Sequence, residues 1–222
     1  MLKQIDLSTP SGRRAAYVDF NLHDHAFLRL RFRNAHWLDD KMVRTNQPWP
    51  FQLKQWREAG VRTVINLRGG FDSSFYALER EACAQLGLTL VDFTVRSREA
   101  PSREQILGAR DLFAKIRYPA LMHCKSGVDR AGLMSALYAY FQLGQPIEQA
   151  ARQLSLRYLH MKTGRTGVLD ELFALYLRDI APKGVSFLAW VESDAYDPQA
   201  ITRDFHAGWW GNLLVDKILR RE

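Results

Sequence analysis

A cysteine, an aspartate and an arginine lie close together in the stretch HCKSGVDRAGL, residues 123–133. Cys124 precedes Arg130 by six positions, and the small residues between them let the backbone curl so that its N–H groups face a common point. Such a nest of amides binds anions and favours the thiolate form of a cysteine held within it. Arg130 can add a bidentate grip on two oxygens of a tetrahedral phosphate. These residue types and this spacing predict a nucleophile and a phosphate cradle in one loop.

The elements on either side of this loop would position it at a ligand site. The preceding stretch is the short apolar segment YPALMHC, and the following stretch, AGLMSALYAYFQLG, has the composition of a helix. In open α/β sheets ligands bind at the carboxyl ends of strands, which is where this order of elements places the loop. The N-terminus of the helix would add the positive end of its dipole to the site.

Strand-like and helix-like patterns alternate through the middle of the chain. VRTVINL and LTLVDFTV are strand-like runs, and PWPFQLKQWREAG, SSFYALEREACAQLG and REQILGARDLFAKIR carry helix start and stop signals, with Ser74 and Ser102 as expected N-caps. Ala26–Arg33 alternates apolar and basic residues, which predicts a half-exposed strand. Beyond Gly144 the patterns are helical. The alternation predicts an α/β fold with a central, mostly parallel sheet flanked by helices.

The composition suits a globular protein that acts on anions. The chain has 222 residues, of which 47% are hydrophobic, and a net charge of +7. This basic excess fits a phosphate-bearing partner, and because the basic residues are scattered we expect no nucleic-acid partner. No apolar run is long enough to cross a bilayer, and the first residues show no leader, so we expect a cytoplasmic protein. Two cysteines, Cys83 and Cys124, argue against a disulfide scaffold.

The stretch HCKSGVDRAG resembles the signature loop of the cysteine-dependent protein tyrosine and dual-specificity phosphatases. We call residues 123–131 the signature loop. VRTNQPWPFQLKQWREAGVRTVINLRG resembles the N-terminal half of the bacterial and fungal atypical dual-specificity group, and the likeness runs roughly from Val43 to Leu177. The resemblance implies a bacterial phosphatase of dual-specificity fold. We expect a catalytic domain at 1–180 and a C-terminal helical extension at 181–222.

The resemblance also implies a role for each residue of the loop. Cys124 would be the nucleophile, Arg130 would bind the phosphate, and His123 would lie beneath the loop and support the thiolate. Main-chain amides of the loop would hold the phosphate oxygens. The substrate-binding residues of the loop would be Lys125, Ser126, Gly127 and Val128. The reaction would pass through a cysteinyl-phosphate and need no metal or other cofactor, because the loop and Arg130 supply the charge stabilisation.

Two features depart from the family pattern. Ala131 stands where Ser or Thr usually follows the arginine, so hydrolysis of the intermediate would be slowed unless Ser126 or another donor substitutes. The loop VRSREAPS, where the family carries its general acid, has no aspartate. We expect Asp129 to be the acid, because a C-x-x-G-x-D-R loop resembles that of the myotubularin lipid phosphatases and of a group of broad-range bacterial phosphatases. Glu99 and Asp92 are the alternatives, and Asp129 can instead cap its helix.

Basic residues near the loop predict a substrate with more than one negative charge. Lys125 follows the nucleophile directly, and in phosphatases of the phosphatase-and-tensin type a lysine at this position binds further phosphate groups. We expect a basic rim formed by Arg96, Arg98, Lys162 and Arg165. The expected substrates are phosphorylated proteins or polyanionic phosphates. A phospholipid, phosphoinositide or lipid A phosphate at a membrane surface is the alternative.

Several further features leave alternatives open. One helical face of the last segment, GWWGNLLVDKILRRE, carries Trp210, Leu213, Leu214, Lys217 and Ile218. This helix would pack on its own domain or, as the alternative, make peripheral membrane contact. Cys83 would be a plain helix-face cysteine or a redox partner of Cys124. The motif at 23–25, His-Asp-His, fits a polar turn better than a metal site. Sulfur transfer and a phosphate-binding pseudophosphatase are the rival functions.

Overall fold

The computed structural model describes residues 5–206 and divides into two compact units. The first unit comprises the described residues up to Thr94 together with Lys115–Ala131. The second comprises Val95–Ala114 and the described chain from Gly132 onward. The division into a catalytic domain at 1–180 and an extension at 181–222 stays a prediction.

The first unit contains a five-stranded sheet. Its strands are β1 (His36–Trp37), β2 (Met42–Asn46), β3 (Thr63–Asn66), β4 (Thr89–Asp92) and β5 (Ala120–Cys124). Their order across the sheet is β1-β2-β5-β3-β4. β1 is antiparallel to β2, whereas β2, β5, β3 and β4 are parallel to one another. This sheet, with the helices that accompany it, confirms the predicted α/β class and its mostly parallel order.

Every residue of β2, β3 and β5 is buried, as expected of parallel strands with both faces covered. The helices of this unit are α1 (Pro10–Leu22), α2 (Pro50–Glu58) and α3 (Ser74–Leu86). One apolar cluster combines residues of the sheet with residues of α2, α3 and the adjoining loops: Val43, Leu53, Val61, Val64, Ala82, Cys83, Leu88 and Leu121. The N-cap of α3 is Ser73, whose hydroxyl accepts from the Tyr76 amide, so the predicted N-cap Ser74 is one residue too late.

The predicted strand at Ala26–Arg33 is wrong. Ala26–Arg29 forms a 3-10 helix instead. Trp49 Nε1 donates to the Ala26 carbonyl at 2.9 Å, and Gln52 Nε2 donates to the Arg29 carbonyl at 3.1 Å. These tertiary hydrogen bonds occupy backbone groups that a strand would offer to a neighbour, and alternation of residue types does not encode them.

The second unit is helical. Its helices are α4 (Arg103–Lys115), α5 (Asp129–Phe141), α6 (Ile147–Ala150), α7 (Val168–Leu175) and α8 (Phe187–Glu192). Residues 198–206 are also helical. As predicted, Ser102 caps α4, since its hydroxyl accepts from the Gln105 amide at 3.2 Å. The helix α5 begins in the first unit and carries the chain into the second.

The C-terminal segment for which a helix and membrane contact were considered lies outside the described residues. Among the helices of residues 5–206, none combines the length and the apolar character needed to cross a membrane. Short 3-10 turns also occur in the second unit, at Ala151–Gln153, Leu156–Tyr158, Arg165–Gly167 and Ala181–Lys183.

Candidate active site

The signature loop connects the carboxyl end of a central strand to the start of a long helix. β5 ends at Cys124, and α5, of 13 residues, begins at Asp129. Cys124 is in register with Asn46 of β2, so the loop leaves the sheet beside the end of a neighbouring strand. An anion in this loop would therefore meet the carboxyl edge of a parallel sheet and the positive end of a helix dipole.

Arg44, in the middle of β2, holds two carbonyl groups of the loop. Its residue is fully buried, and its Nη2 donates to the carbonyl oxygens of Gly127 and Val128, each at 2.9 Å. The C=O and N–H of a trans peptide point in opposite directions. The N–H groups of Val128 and Asp129, which follow these two carbonyls, therefore face away from Arg44. Hydrogen bonds from a charged donor are worth about 1.5–3 kcal/mol each, so Arg44 is a strong restraint on the loop.

Two further donors hold the first half of the loop. Asn34 Nδ2 donates to the Ser126 carbonyl at 3.1 Å, and the backbone N–H of Gln47 donates to the Lys125 carbonyl at 3.4 Å. By the same peptide geometry, the amides that follow these carbonyls face away from the donors. Together with the arginine of β2, these residues turn four successive amides to one side of the loop, which is the arrangement of an anion-binding nest.

Gly127 allows the loop to lie directly against β2. Its φ is +72°, a left-handed conformation. A Cβ at this position would lie 2.6 Å from the amide nitrogen of Asn46 and 2.7 Å from the carbonyl carbon of Thr45. A side chain here would therefore need both a strained backbone and space that β2 already occupies.

A buried contact between a histidine and a glutamate lies next to Cys124 in the chain. Cys124 is 2% exposed and His123 is fully buried. His123 Nε2 lies 2.7 Å from Glu79 Oε1 of α3, although the two groups are not aligned as a hydrogen bond. The buried carboxyl group of Glu79 thus lies beside the ring of the residue that precedes Cys124. Sequence analysis missed Glu79, because the pattern of α3 gives no sign that one of its carboxylates faces the core.

A second cluster joins the loop to the N-terminal part of the chain. The buried carboxylate of Asp24 accepts from Arg29 Nη2 at 2.5 Å and from the two terminal nitrogens of Arg68 at 2.7 and 3.0 Å. Lys125 Nζ lies 3.3 Å from the same carboxylate. Burial acts to raise the pKa of Asp24, but the hydrogen bonds and charges of Arg68 and Arg29 outweigh it and hold that pKa below its ordinary value. The polar turn expected at 23–25 thus contains a buried ionic partner of the loop.

The three carboxylates considered as the general acid differ in their surroundings. Asp129 is partly exposed and is the first residue of α5. Asp92, at the end of β4, accepts from Asn66 Nδ2 at 3.0 Å and from the Tyr76 hydroxyl at 2.6 Å. Burial, and then the bond to Asp92, raise the pKa of Tyr76 to about 12, so Tyr76 is a donor at neutral pH and Asp92 is held as an acceptor. Glu99 lies in the second unit.

The residues of the predicted basic rim belong to the second unit. They are Arg96, Arg98, Lys162 and Arg165. Arg96 pairs with Glu99 at 3.0 Å, and both side chains are exposed. Lys162 Nζ lies 3.7 Å from Asp170, which also contacts His160 at 2.6 Å, and these three residues line a cavity of about 880 Å³. That these four residues bind the substrate stays a prediction.

Cys83 lies in the apolar core of the first unit and is 1% exposed. Burial, with smaller contributions from the charges of Glu79 and Asp92, raises the pKa of its thiol. A thiol of raised pKa is poor in thiolate, which favours the interpretation of Cys83 as a core residue over a redox role. Within residues 5–206, no three His, Cys, Asp or Glu side chains are grouped as a metal ion would require.

Residues 38–168 match a family model described as PTP-NADK, a DSP-PTPase phosphatase fused to NAD+ kinase. The matched region contains the signature loop and the parallel strands of the sheet, but neither Asp24 nor Asn34. A comparison with curated proteins gave no significant match.

Several solved structures share the fold. TpbA from P. aeruginosa is 21% identical, with 68% of this chain and 88% of that chain covered and a TM-score of 0.52. A TpbA variant in complex with pTyr is 19% identical, with 72% and 91% covered and a TM-score of 0.53. A phosphatase of the DUF442 group from Shewanella putrefaciens CN-32 is 21% identical, with 68% and 98% covered and a TM-score of 0.51. The chain thus has the fold of the dual-specificity phosphatases.

Proposed function

Because the chain belongs to the family of DSP-PTPase phosphatases fused to NAD+ kinase, we propose that it hydrolyses phosphate monoesters through a cysteinyl-phosphate formed on Cys124. Family membership makes it a phosphatase of the dual-specificity and protein tyrosine superfamily. The observation that carries the mechanism is the set of four loop carbonyls held by Gln47, Asn34 and Arg44. These bonds turn successive amides to one side of a loop that begins at a cysteine, which is what an attack by thiolate on a bound phosphate requires.

In the first step the thiolate of Cys124 attacks phosphorus, the S–P bond forms and the P–O bond to the leaving group breaks. The loop amides and Arg130 stabilise the charge on the non-bridging oxygens. Asp129 donates a proton to the leaving oxygen. The position of Asp129 inside the loop supports this assignment, whereas Asp92 is held as an acceptor by two donors.

In the second step water attacks the cysteinyl-phosphate, the S–P bond breaks, and inorganic phosphate and the thiolate are released. Asp129, now deprotonated, accepts a proton from the attacking water. Ala131 is fully buried and carries no hydroxyl to assist the departing thiolate. The exposed hydroxyl of Ser126, within the same loop, is the group that we propose for this task.

The proposed substrates are phosphotyrosine-type esters and phosphate esters with a second anionic group. The first proposal is supported by TpbA, which shares the fold and has been crystallised as a variant with pTyr. The second is supported by Lys125, an ammonium group directly after the nucleophile whose side chain is 42% exposed. An inositol phosphate and a phosphoinositide both meet the second description.

The substitution Cys124→Ser tests the mechanism. We expect the wild-type chain to hydrolyse phenyl phosphate in the presence of EDTA, and a rapid acid quench to trap phosphate bound to cysteine. Cys124→Ser should abolish turnover yet still bind inorganic phosphate, because the amides and Arg130 remain. Cys83→Ser is the matched control and should keep turnover. Turnover by Cys124→Ser would contradict the mechanism, and phosphate binding without turnover by the wild-type chain would identify a pseudophosphatase.

A further inference from the structure

We infer that Asp24 is a specificity-determining residue, which competes with a second anionic group of the substrate for the ammonium group of Lys125. The inference rests on the proposed function, since it concerns ligands of the same loop. Asp24 lies before the family-matched region 38–168, in the turn between α1 and the 3-10 helix Ala26–Arg29. The residue that competes for Lys125 therefore belongs to the N-terminal part of the chain, outside the region that matches the family.

The two arginines compensate the charge of Asp24 without any help from Lys125. The side chains of Arg29 and Arg68 are 6% and 8% exposed, and together they donate three hydrogen bonds of 2.5–3.0 Å to the carboxylate. A buried carboxylate that is paired in this way is stable in its charged form, as the lowered pKa of Asp24 also indicates.

The cluster is built into the fold. The guanidinium of Arg68 stacks on the ring of Phe75, with its central carbon 3.6 Å from the ring centroid. The guanidinium of Arg29 lies over the ring of Phe20, with its central carbon 5.1 Å from the ring centroid. Both arginines are thus fixed by contacts other than those with the carboxylate, and Asp24 occupies a preformed position.

Lys125 differs from the two arginines in distance and exposure. Its Nζ lies 3.3 Å from Oδ1, the longest of the contacts to Asp24, and its side chain is 42% exposed. Part-exposed ion pairs contribute little to stability. When Lys125 moves to a ligand, Asp24 keeps Arg29 and Arg68, so no buried charge is left uncompensated. Lys125 is therefore the member of the cluster that a ligand can take.

This arrangement has different consequences for ligands with one and with two anionic groups. A single phosphoryl group takes its contacts from the loop amides and Arg130, whichever partner Lys125 has. A second anionic group gains Lys125 only by displacing the contact with Asp24. Three cations and one carboxylate leave the cluster with a net positive charge, so the second group is still attracted. Asp24 reduces the preference for doubly anionic ligands and does not abolish it.

The test compares the binding of phenyl phosphate and of 1,2-phenylene bisphosphate to proteins that also carry Cys124→Ser, measured by calorimetry. The ratio of the two dissociation constants is the preference for the doubly anionic ligand. Asp24→Asn should raise this preference about fivefold, the effect of releasing one part-exposed ion pair. Lys125→Met should lower it, and Asp24→Asn should have no further effect in the Lys125→Met protein. The matched control is Asp19→Asn, an exposed carboxylate of α1 that pairs with His23, which should leave the preference unchanged.

An unchanged preference in a folded Asp24→Asn protein would overturn the inference. So would an equal rise in the Lys125→Met background, because the effect of Asp24 would then be a general change of charge. If Asp24→Asn does not fold, the double substitution Asp24→Asn and Arg29→Gln removes one charge of each sign and carries the same expectation. Hydrolysis of phenyl phosphate by the chain with Cys124 intact is measured in parallel. Absent turnover contradicts the proposed function alone, whereas turnover with an unshifted preference contradicts this inference alone.

Discussion

Arg44 Nη2 lies 2.9 Å from the carbonyl oxygen of Gly127, and this hydrogen bond spans 83 positions of the sequence. β2, which carries Arg44, pairs with β5 in parallel register, so the sheet fixes the arginine relative to the strand that ends in Cys124, the proposed nucleophile. The curvature of the signature loop is therefore determined by a side chain outside it.

Replacing Arg44 by lysine should weaken phosphate binding and slow catalysis. A lysine side chain is one bond shorter, so its ammonium falls short of the position of Nη2, which donates to both carbonyl groups; at least one carbonyl becomes unsatisfied and its peptide is free to turn. We expect kcat/KM for phenyl phosphate to fall by about 10- to 100-fold, which corresponds to the loss of roughly one such bond. Steady-state kinetics and calorimetric titration with inorganic phosphate measure the two effects.

The control for this substitution is Arg33→Lys. The side chain of Arg33 donates to Gln55 Oε1 at 2.7 Å, an exposed contact with no part in holding the loop carbonyls. Its replacement should leave phosphate affinity at the wild-type level. A folded Arg44→Lys protein with undiminished phosphate affinity would show that the loop keeps its shape without this arginine.

The substitution Gly127→Ala should be more destabilising than Gly144→Ala. Both glycines have a left-handed backbone, with φ of +72° and +64°. An alanine at either position therefore costs about 1–2 kcal/mol for steric reasons. A Cβ at Gly144 meets nothing within 4 Å, whereas at Gly127 it lies 2.6 Å from the Asn46 nitrogen. We expect Gly127→Ala to cost a further 1–3 kcal/mol, roughly the effect of overpacking, and to lose phosphate binding. Urea unfolding measures the difference, and equal destabilisation by the two substitutions would argue against the close packing of loop and strand.

The stability contributed by Asp24 should depend on pH in the acid range. Its folded-state pKa lies below the ordinary value of 3.8, so the unfolded chain binds more protons as the pH falls past that value. The contribution is therefore fully present above the ordinary pKa and is lost as the pH falls through the folded-state pKa. Asp24→Asn should cost about 3–5 kcal/mol at neutral pH, because it leaves two buried arginines without their carboxylate, and less at pH 3.

Urea unfolding of the wild-type and Asp24→Asn proteins between pH 3 and pH 7 tests this expectation. Asp19→Asn serves as the comparison, since its carboxylate is exposed and its pair with His23 is a surface contact of small energy. A difference between wild type and Asp24→Asn that stays constant across the range would mean that the buried ion pairs are not its source.

The substitution Asp129→Asn should affect substrates according to their leaving groups. A general acid matters most when the leaving oxygen is basic, so turnover of phenyl phosphate should fall by about 100-fold, at the lower end of the usual contribution. The kcat/KM for 2,4-dinitrophenyl phosphate, which reports only the first step and involves a leaving group that needs no proton, should change little. Kinetics with both esters separate loss of the acid from damage to the loop, which would slow both equally. If Asp92→Asn or Glu99→Gln shows the selective pattern instead, that residue is the acid.

The residues of the signature loop were recognisable from sequence because they are contiguous. Local order alone places a cysteine, a glycine and an arginine around one turn between a strand and a helix, and the α/β class followed from alternation of patterns. Arg44 and Arg68 both lie in the stretch VRTNQPWPFQLKQWREAGVRTVINLRG, which resembles the family. Their roles depend on carbonyl and carboxylate groups that are distant in the chain, so the sequence did not reveal them.

The segment Ala26–Arg33 shows where the local pattern alone predicted the wrong structure. Its alternation of apolar and basic residues is that of a strand, yet two of its backbone carbonyls accept from Trp49 and Gln52, and Ala26–Arg29 forms a 3-10 helix. Alternation identifies which side chains can share a face only if the backbone is extended, and the tertiary hydrogen bonds of this segment prevent that.

The sequence by itself determined the class of this protein and the chemistry that we propose for it, since Cys124, Arg130 and the small residues between them lie in one stretch whose turn is local. Only the tertiary structure decided which side chains hold the backbone of that stretch in place and which residue pairs with Lys125. Arg44 and Asn34 hold its carbonyls, and Asp24 holds Lys125, across separations that no local pattern records. Buried polar groups require hydrogen-bond partners inside the protein. Which partners they have depends on the packing of the folded chain and not on proximity in the sequence.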